Sequence, residues 1–150
     1  MEQFVYIIPM MIVLFFTALW ILILKLLSVL SGWTTLAERF YYQGTFDGRY
    51  FRFQSAWMNK VLFRSSLEMG MNVMGLYLIP MILFRLFHKP IFIPWSEIEA
   101  EPIKRLMIQV YRLRFRSCPN VSLTVYKKTF ERMLEFNIAL KNFPFDEAAD

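Results

Sequence analysis

One cysteine and one histidine are too few for a zinc centre, which takes about four ligands, and Cys118 and His88 stand 30 positions apart. A lone thiol cannot close an intramolecular disulfide either, which suits a reducing compartment. Charge is scarce: 19% of residues are charged against 57% hydrophobic, where soluble domains carry roughly a quarter charged. No Gly-x-Gly-x-x-Gly occurs, and the interval Gly70 to Gly75 lacks the lysine and following helix of a phosphate loop. Internal repeats and low-complexity linkers are missing, and 150 residues exclude a large multidomain enzyme.

What is present begins with an oily run. Phe4 to Leu24 contains no formally charged side chain, long enough for one membrane crossing, and a backbone in hydrocarbon must bond internally as a helix. Leu26, Leu27, Val29 and Leu30 extend it past Lys25, which reaches the headgroups as an interface anchor. The expected anchor is 1–30. No basic leader precedes it and no small-residue cleavage pattern follows, so it reads as retained. Lys25, Arg39, Arg49 and Arg52 outweigh Glu38 and Asp47 beyond the span, which places the amino terminus outside and the rest in the cytoplasm. The net charge of +5 makes the anionic inner leaflet the nearest partner.

Residues 31–44 form the joint. Trp33, Leu36, Ala37 and Phe40 make one apolar face of a short helix, Thr35 and Glu38 have capping-box spacing, and Gly32 can bend the chain. The expected arrangement is an interfacial helix with Trp33 and Phe40 at the membrane and Arg39 free for phosphate. The alternative is a continuous helix packed on the domain.

From residue 45 the period becomes two. Phe51, Phe53, Ser55 and Trp57 alternate with Arg52, Gln54, Ala56 and Met58 and are expected inward, Asn59 and Lys60 make a tight turn, and Val61 to Glu68 forms the next strand. Further short runs follow at Leu76 to Ile79 and Ile91 to Ile93. Beyond Pro102 the apolar parity switches near Val110 and Tyr111, which implies a bulge there or a junction of two strands. Val121, Leu123 and Val125 give another strand. Thr129 is then an expected N-cap for a helix with Phe130, Met133, Leu134 and Ile138 on one stripe, widened by Phe136 and Leu140. The domain is 45–142 and 143–150 an acidic tail.

The expected fold is therefore a single N-terminal transmembrane helix followed by a mainly antiparallel β domain, a bent sheet or partly open barrel, with a C-terminal amphipathic helix. This order of elements resembles the pleckstrin-homology and GRAM-like superfamily. A more local resemblance, to small bacterial membrane proteins with one span and such a domain, rests on three runs: Gly32, Trp33, Leu36, Ala37, Glu38, Arg39; Gly75, Leu76, Tyr77, Leu78; and Ile93, Pro94, Trp95, Ser96, Glu97, Ile98. The resemblance implies binding of lipid headgroups or protein partners, not catalysis. Phosphoinositide-binding members cluster several basic residues around the first strand pair, whereas here Lys60 alone occupies the first loop.

Candidate chemistry is thin. A Cys118–His88 nucleophile pair requires the two to meet in space; the ordinary reading is a surface histidine in a turn and a half-buried cysteine. Glu97, Glu99 and Glu101 read as solvated carboxylates between strands rather than a catalytic pair. No catalytic, cofactor or metal site is expected. Arg112, Arg114 and Arg116 share one face of a strand with about 6.6 Å between neighbours, without an evident counter-charge, and with Lys60 form the candidate anionic contact. The absence of a Gly-flanked stacking motif argues against nucleic acid. Met81, Ile82 and Phe84 belong either to a hydrophobic tip at the membrane or to a core strand running from Met81 to Phe87. The expected role is a membrane-tethered, non-catalytic binding or assembly domain, an accessory subunit to integral membrane proteins, with an autonomous anionic-lipid sensor as the alternative.

Overall fold

The computed structural model describes residues 2–137. An apolar helix, α1 (Glu2–Leu30), leads through Ser31 and Gly32 into α2 (Trp33–Phe40). Seven strands follow: β1 (Arg49–Met58), β2 (Val61–Met71), β3 (Gly75–Pro80), β4 (Ile91–Pro94), β5 (Ile98–Arg105), β6 (Ile108–Phe115) and β7 (Cys118–Tyr126). α3 (Lys127–Phe136) closes the described chain. One antiparallel sheet runs β4-β3-β2-β1-β7-β6-β5, curled and open between its two edges. This is the fold class the sequence implies. Phe4–Leu30 is long and apolar enough for a single membrane pass, and nearly all of its residues stand exposed, which an apolar helix tolerates only in lipid or against a partner.

The core takes one face of the sheet and both short helices. Leu67, Met69, Leu76, Leu78, Leu113, Phe115, Leu123 and Val125 come from the strands, Trp33 and Leu36 from α2, Phe130 and Met133 from α3. Phe130 stacks on Tyr111 with centroids 4.0 Å apart. On the opposite face Phe46, Tyr77 and Ile79 make a smaller cluster, in which Phe46 and Tyr77 stack at 4.8 Å.

The joint differs from expectation. Gly32, at φ 77°, ends α1 and is itself the cap position of α2, so the Thr35–Glu38 capping box does not form. Trp33, expected among the headgroups, is wholly buried in the core, and Phe40 packs half-buried against it. Burial leaves the indole satisfied, because its N–H donates to the Lys89 carbonyl at 2.8 Å. Residues 31–44 thus contribute to the domain's packing rather than merely preceding it.

Two strand readings also change. In β1 the buried residues are Ala56 and Met58, while Phe53 is exposed and Ser55 and Trp57 are only partly covered. Phe53 adopts φ 55° at a register shift between Phe51 and Gln54, and this bulge inverts the parity of everything after it. Near residue 110 there is neither bulge nor junction: the strands meet at Leu106 and Met107, whose φ values of 48° and 68° make a two-residue hairpin turn. Thr129 is no N-cap. α3 starts at Lys127, and Thr129 lies in its first turn, donating to Gln54 Oε1 at 3.3 Å. The expected Ile138, Leu140 and acidic tail lie outside the described residues.

Gly75 marks a close approach of two backbones. A Cβ there would collide with the carbonyl oxygen of Ile93 on β4 and with the Phe92 ring. Backbone held in a ladder cannot yield as a side chain can, so Gly75→Ala is expected to cost about 2–3 kcal/mol, read as a lower thermal midpoint in detergent. An unchanged midpoint would show β4 to be loosely held.

Candidate functional site

Alternation along β6 points Tyr111, Leu113 and Phe115 into the core and Arg112 and Arg114 outward, with Arg116 exposed in the turn that follows. The arginines do have counter-charges. Glu101 on β5 sits opposite Arg112 and lies 3.2 Å from its Nη1 and 2.8 Å from Nη2 of Arg114, while Arg116 Nε donates to Glu99 Oε1 at 2.9 Å. The expected isolated cationic stripe is a cross-strand ladder of both signs, which relieves repulsion and supports the β5–β6 register. Such exposed pairs add little stability individually.

The third glutamate has a different task. Glu97 accepts from the Ser117 hydroxyl at 2.6 Å and from its backbone N–H at 3.1 Å, closing the β6–β7 turn. Those bonds hold its carboxyl below the usual range, the Ser117 hydroxyl contributing most. All three carboxylates are thus engaged by donors on the neighbouring hairpin.

The stripe nonetheless contributes to a concave site. Lys60 from the β1–β2 turn, Lys104 and Arg105 from β5, and Arg112 and Arg114 from β6 line a cavity of about 790 Å³. Leu30, the last residue of α1, lies on its rim, and Asn59, Ser122 and Thr124 supply polar wall. Of the four residues expected to make anionic contact, three converge here and Arg116 does not. Lys104 and Arg105 were missed; their signal was a basic pair at the end of a strand. Arg105 also lies over the Trp57 ring at 4.8 Å. Glu101 offsets one of the five positive charges, so the cavity is cationic at the point where the chain leaves α1.

The second feature lies on the flank of α1. Met81 to Phe87 is not a strand: a 3-10 helix spans Ile82–Phe87 and packs beside α1. Phe84 meets Trp20 with centroids 6.0 Å apart, Leu24 is buried, and Ser28 donates its hydroxyl proton to the Phe87 carbonyl at 2.8 Å. Ile82, Leu83 and Leu86 remain 77%, 66% and 62% exposed. Trp20 precedes the end of α1 by ten residues, about 15 Å along a helix. That stretch of α1 belongs to the segment long and apolar enough to cross a membrane, and the apolar 3-10 helix packs against it. Lys25 is exposed on the same flank.

His88, expected on the surface, is fully buried between Trp33 and Phe63, with centroids at 5.3 and 5.8 Å. Neither ring nitrogen has a hydrogen-bond partner of sound geometry among the described residues. Burial pushes its pKa below the ordinary 6.5, and the Phe84 backbone opposes this only in part. The neutral ring is therefore the folded form. Its contribution is complete above pH 6.5 and is lost as pH falls from there through the lowered folded value, because the unfolded chain takes up the proton first. Thermal midpoints in detergent are expected to drop from pH 7 to pH 5, and His88→Phe to flatten that dependence. An equally steep profile in the variant would assign it to other groups.

Cys118, expected half-buried, is buried on β7, and burial pushes its thiol pKa up, the reverse of what a nucleophile needs. Among the described residues no three His, Cys, Asp or Glu side chains are grouped to hold a metal ion. No protein-family model, curated protein or solved structure matches this chain.

Proposed function

We propose that this chain is a non-catalytic, membrane-tethered binding or assembly module, an accessory subunit that docks an acidic face of an integral membrane partner into its cationic cavity. The observation that carries the reading is the convergence of Lys60, Lys104, Arg105, Arg112 and Arg114 on one concavity beside Leu30. Charges at the foot of a span meet a neighbouring subunit at a fixed height, and complementary potentials there set orientation and encounter rate. The proposed orientation, amino terminus outside and domain in the cytoplasm of a bacterial inner membrane, follows from the lysine and arginine excess beyond the span. A sheet with β1 between β2 and β7, and α3 following β7 and packing against β6 and β7, supports a pleckstrin-homology or GRAM-like kinship.

Gentle detergent extraction, followed by identification of co-purifying chains, tests this. Lys60→Gln, Lys104→Gln and Arg105→Gln together remove three charges that have no ion-pair partner among the described residues and leave the glutamate ladder intact. The triple variant is expected to lose its partner at moderate salt. Full retention would remove the docking role.

A second reading, an anionic-lipid sensor, draws on the same cavity's place beside the span. It predicts that the triple variant keeps every protein partner but loses its preference for anionic over neutral nanodiscs.

A further inference from the structure

A groove of about 560 Å³ separates the last turns of α1 from α2 and the chain at 86–89. Lys25 on α1 and Lys89 beyond the 3-10 helix both line it, together with Glu38 of α2. None of the three has an ion-pair partner among the described residues, although Lys89 Nζ lies 5.2 Å from the Tyr41 ring centroid. Two lysines and one glutamate leave a charge of +1, the complement of one phosphodiester. Val29 and Leu86, both exposed, form an apolar wall leading out of the groove along the span.

The hydroxyls refine the match. Ser28 gives its proton to Phe87 O, so in its 3.0 Å contact with Thr34 it must accept, and Thr34 donates. Thr34 can therefore offer only lone pairs to an occupant, as can the Glu38 carboxylate. The groove thus holds cations for a phosphate and acceptors for hydroxyl donors, with a hydrocarbon path beside them.

We propose that this groove binds one phospholipid whose headgroup carries a single negative charge and free hydroxyls, as phosphatidylglycerol does. Its phosphate lies between Lys25 and Lys89, its headgroup hydroxyls donate to Glu38 and Thr34, and one acyl chain runs along Val29 and Leu86. The site is distinct from the cationic cavity and shares none of its lining residues. A lipid held here would fasten the domain to the flank of its own span.

Native mass spectrometry of the full chain from neutral detergent, with equimolar phosphatidylglycerol and phosphatidylcholine of matched chains, provides the test. One phosphatidylglycerol adduct is expected, preferred by about ten-fold or more given the worth of two lysines near a headgroup. Lys25→Gln with Lys89→Gln should abolish the preference, whereas Lys25→Arg with Lys89→Arg, and Lys104→Gln with Arg105→Gln, should keep it. Equal retention of the two lipids by the native chain, or undiminished preference in the Lys25/Lys89 glutamine variant, would overturn the proposal. Because the readout is a lipid adduct, it stands or falls independently of whether a protein partner co-purifies.

Discussion

Trp33→Ala is expected to destabilise the full chain by about 3–5 kcal/mol, the range for truncating a buried large aromatic. The indole is fully covered, packs on Phe63 and His88, and donates its N–H to the Lys89 carbonyl at 2.8 Å. Its loss leaves a cavity where α2, β2 and the 88–89 turn meet and removes the carbonyl's donor. Because α2 follows directly on α1, the same change loosens the domain from its anchor. Trp33→Phe is the intermediate case, since it keeps one ring in the pocket but loses the hydrogen bond and the volume of the second ring, at about 1–3 kcal/mol. Circular-dichroism melting in detergent micelles compares the three proteins. Equal midpoints for Ala and Phe would mean that the cavity contributes nothing.

Ile82→Asp combined with Leu86→Asp is expected to lift the 3-10 helix out of the bilayer. A carboxylate costs about 2.5–3.5 kcal/mol at the centre of a membrane helix and less near the interface, so two at leaflet depth shift the equilibrium ten-fold or more. The readout is an environment-sensitive label on Leu83→Cys in vesicles containing brominated lipid. Cys118 should stay unlabelled, being buried with a raised thiol pKa. In the otherwise native chain the label should be strongly quenched, and the two aspartates should reduce the quenching several-fold. Val73→Cys is the control: it is 81% exposed, in the β2–β3 turn at the far end of β2 from Lys60, and its label should remain in water. An unquenched label at residue 83 would place the docked turns of α1 outside the lipid.

The membrane helix and most strands were legible because their signals are local, an uncharged run and a period of two. The same reading failed where a backbone irregularity carried no sequence mark. Leu106 and Met107 form a turn without glycine, asparagine or aspartate, so the change in parity was assigned four residues too late. Phe53 likewise disguises a bulge as regular alternation. Burial of His88 depends on Trp33 and Phe63, distant in sequence, and no window around residue 88 contains them. Three of the five cations of the site were visible as Arg112, Arg114 and Lys60. Its one counter-ion, Glu101, was visible too, but only the β5–β6 register brings it to Arg112 and Arg114.

The sheet's two margins bear on what happens when many copies share one membrane. β5 has only β6 beside it, and its open side carries Pro102, which offers no amide proton, amid Glu99, Glu101 and Lys104. β4 is four residues long and partly capped by the bridge from Tyr41 to Ile91. Confinement to a plane raises encounter frequency between neighbours far above that of a dilute solution, and bare strand margins would then zip into ribbons. Proline, mixed charge and brevity at these rims disfavour that edge-to-edge pairing.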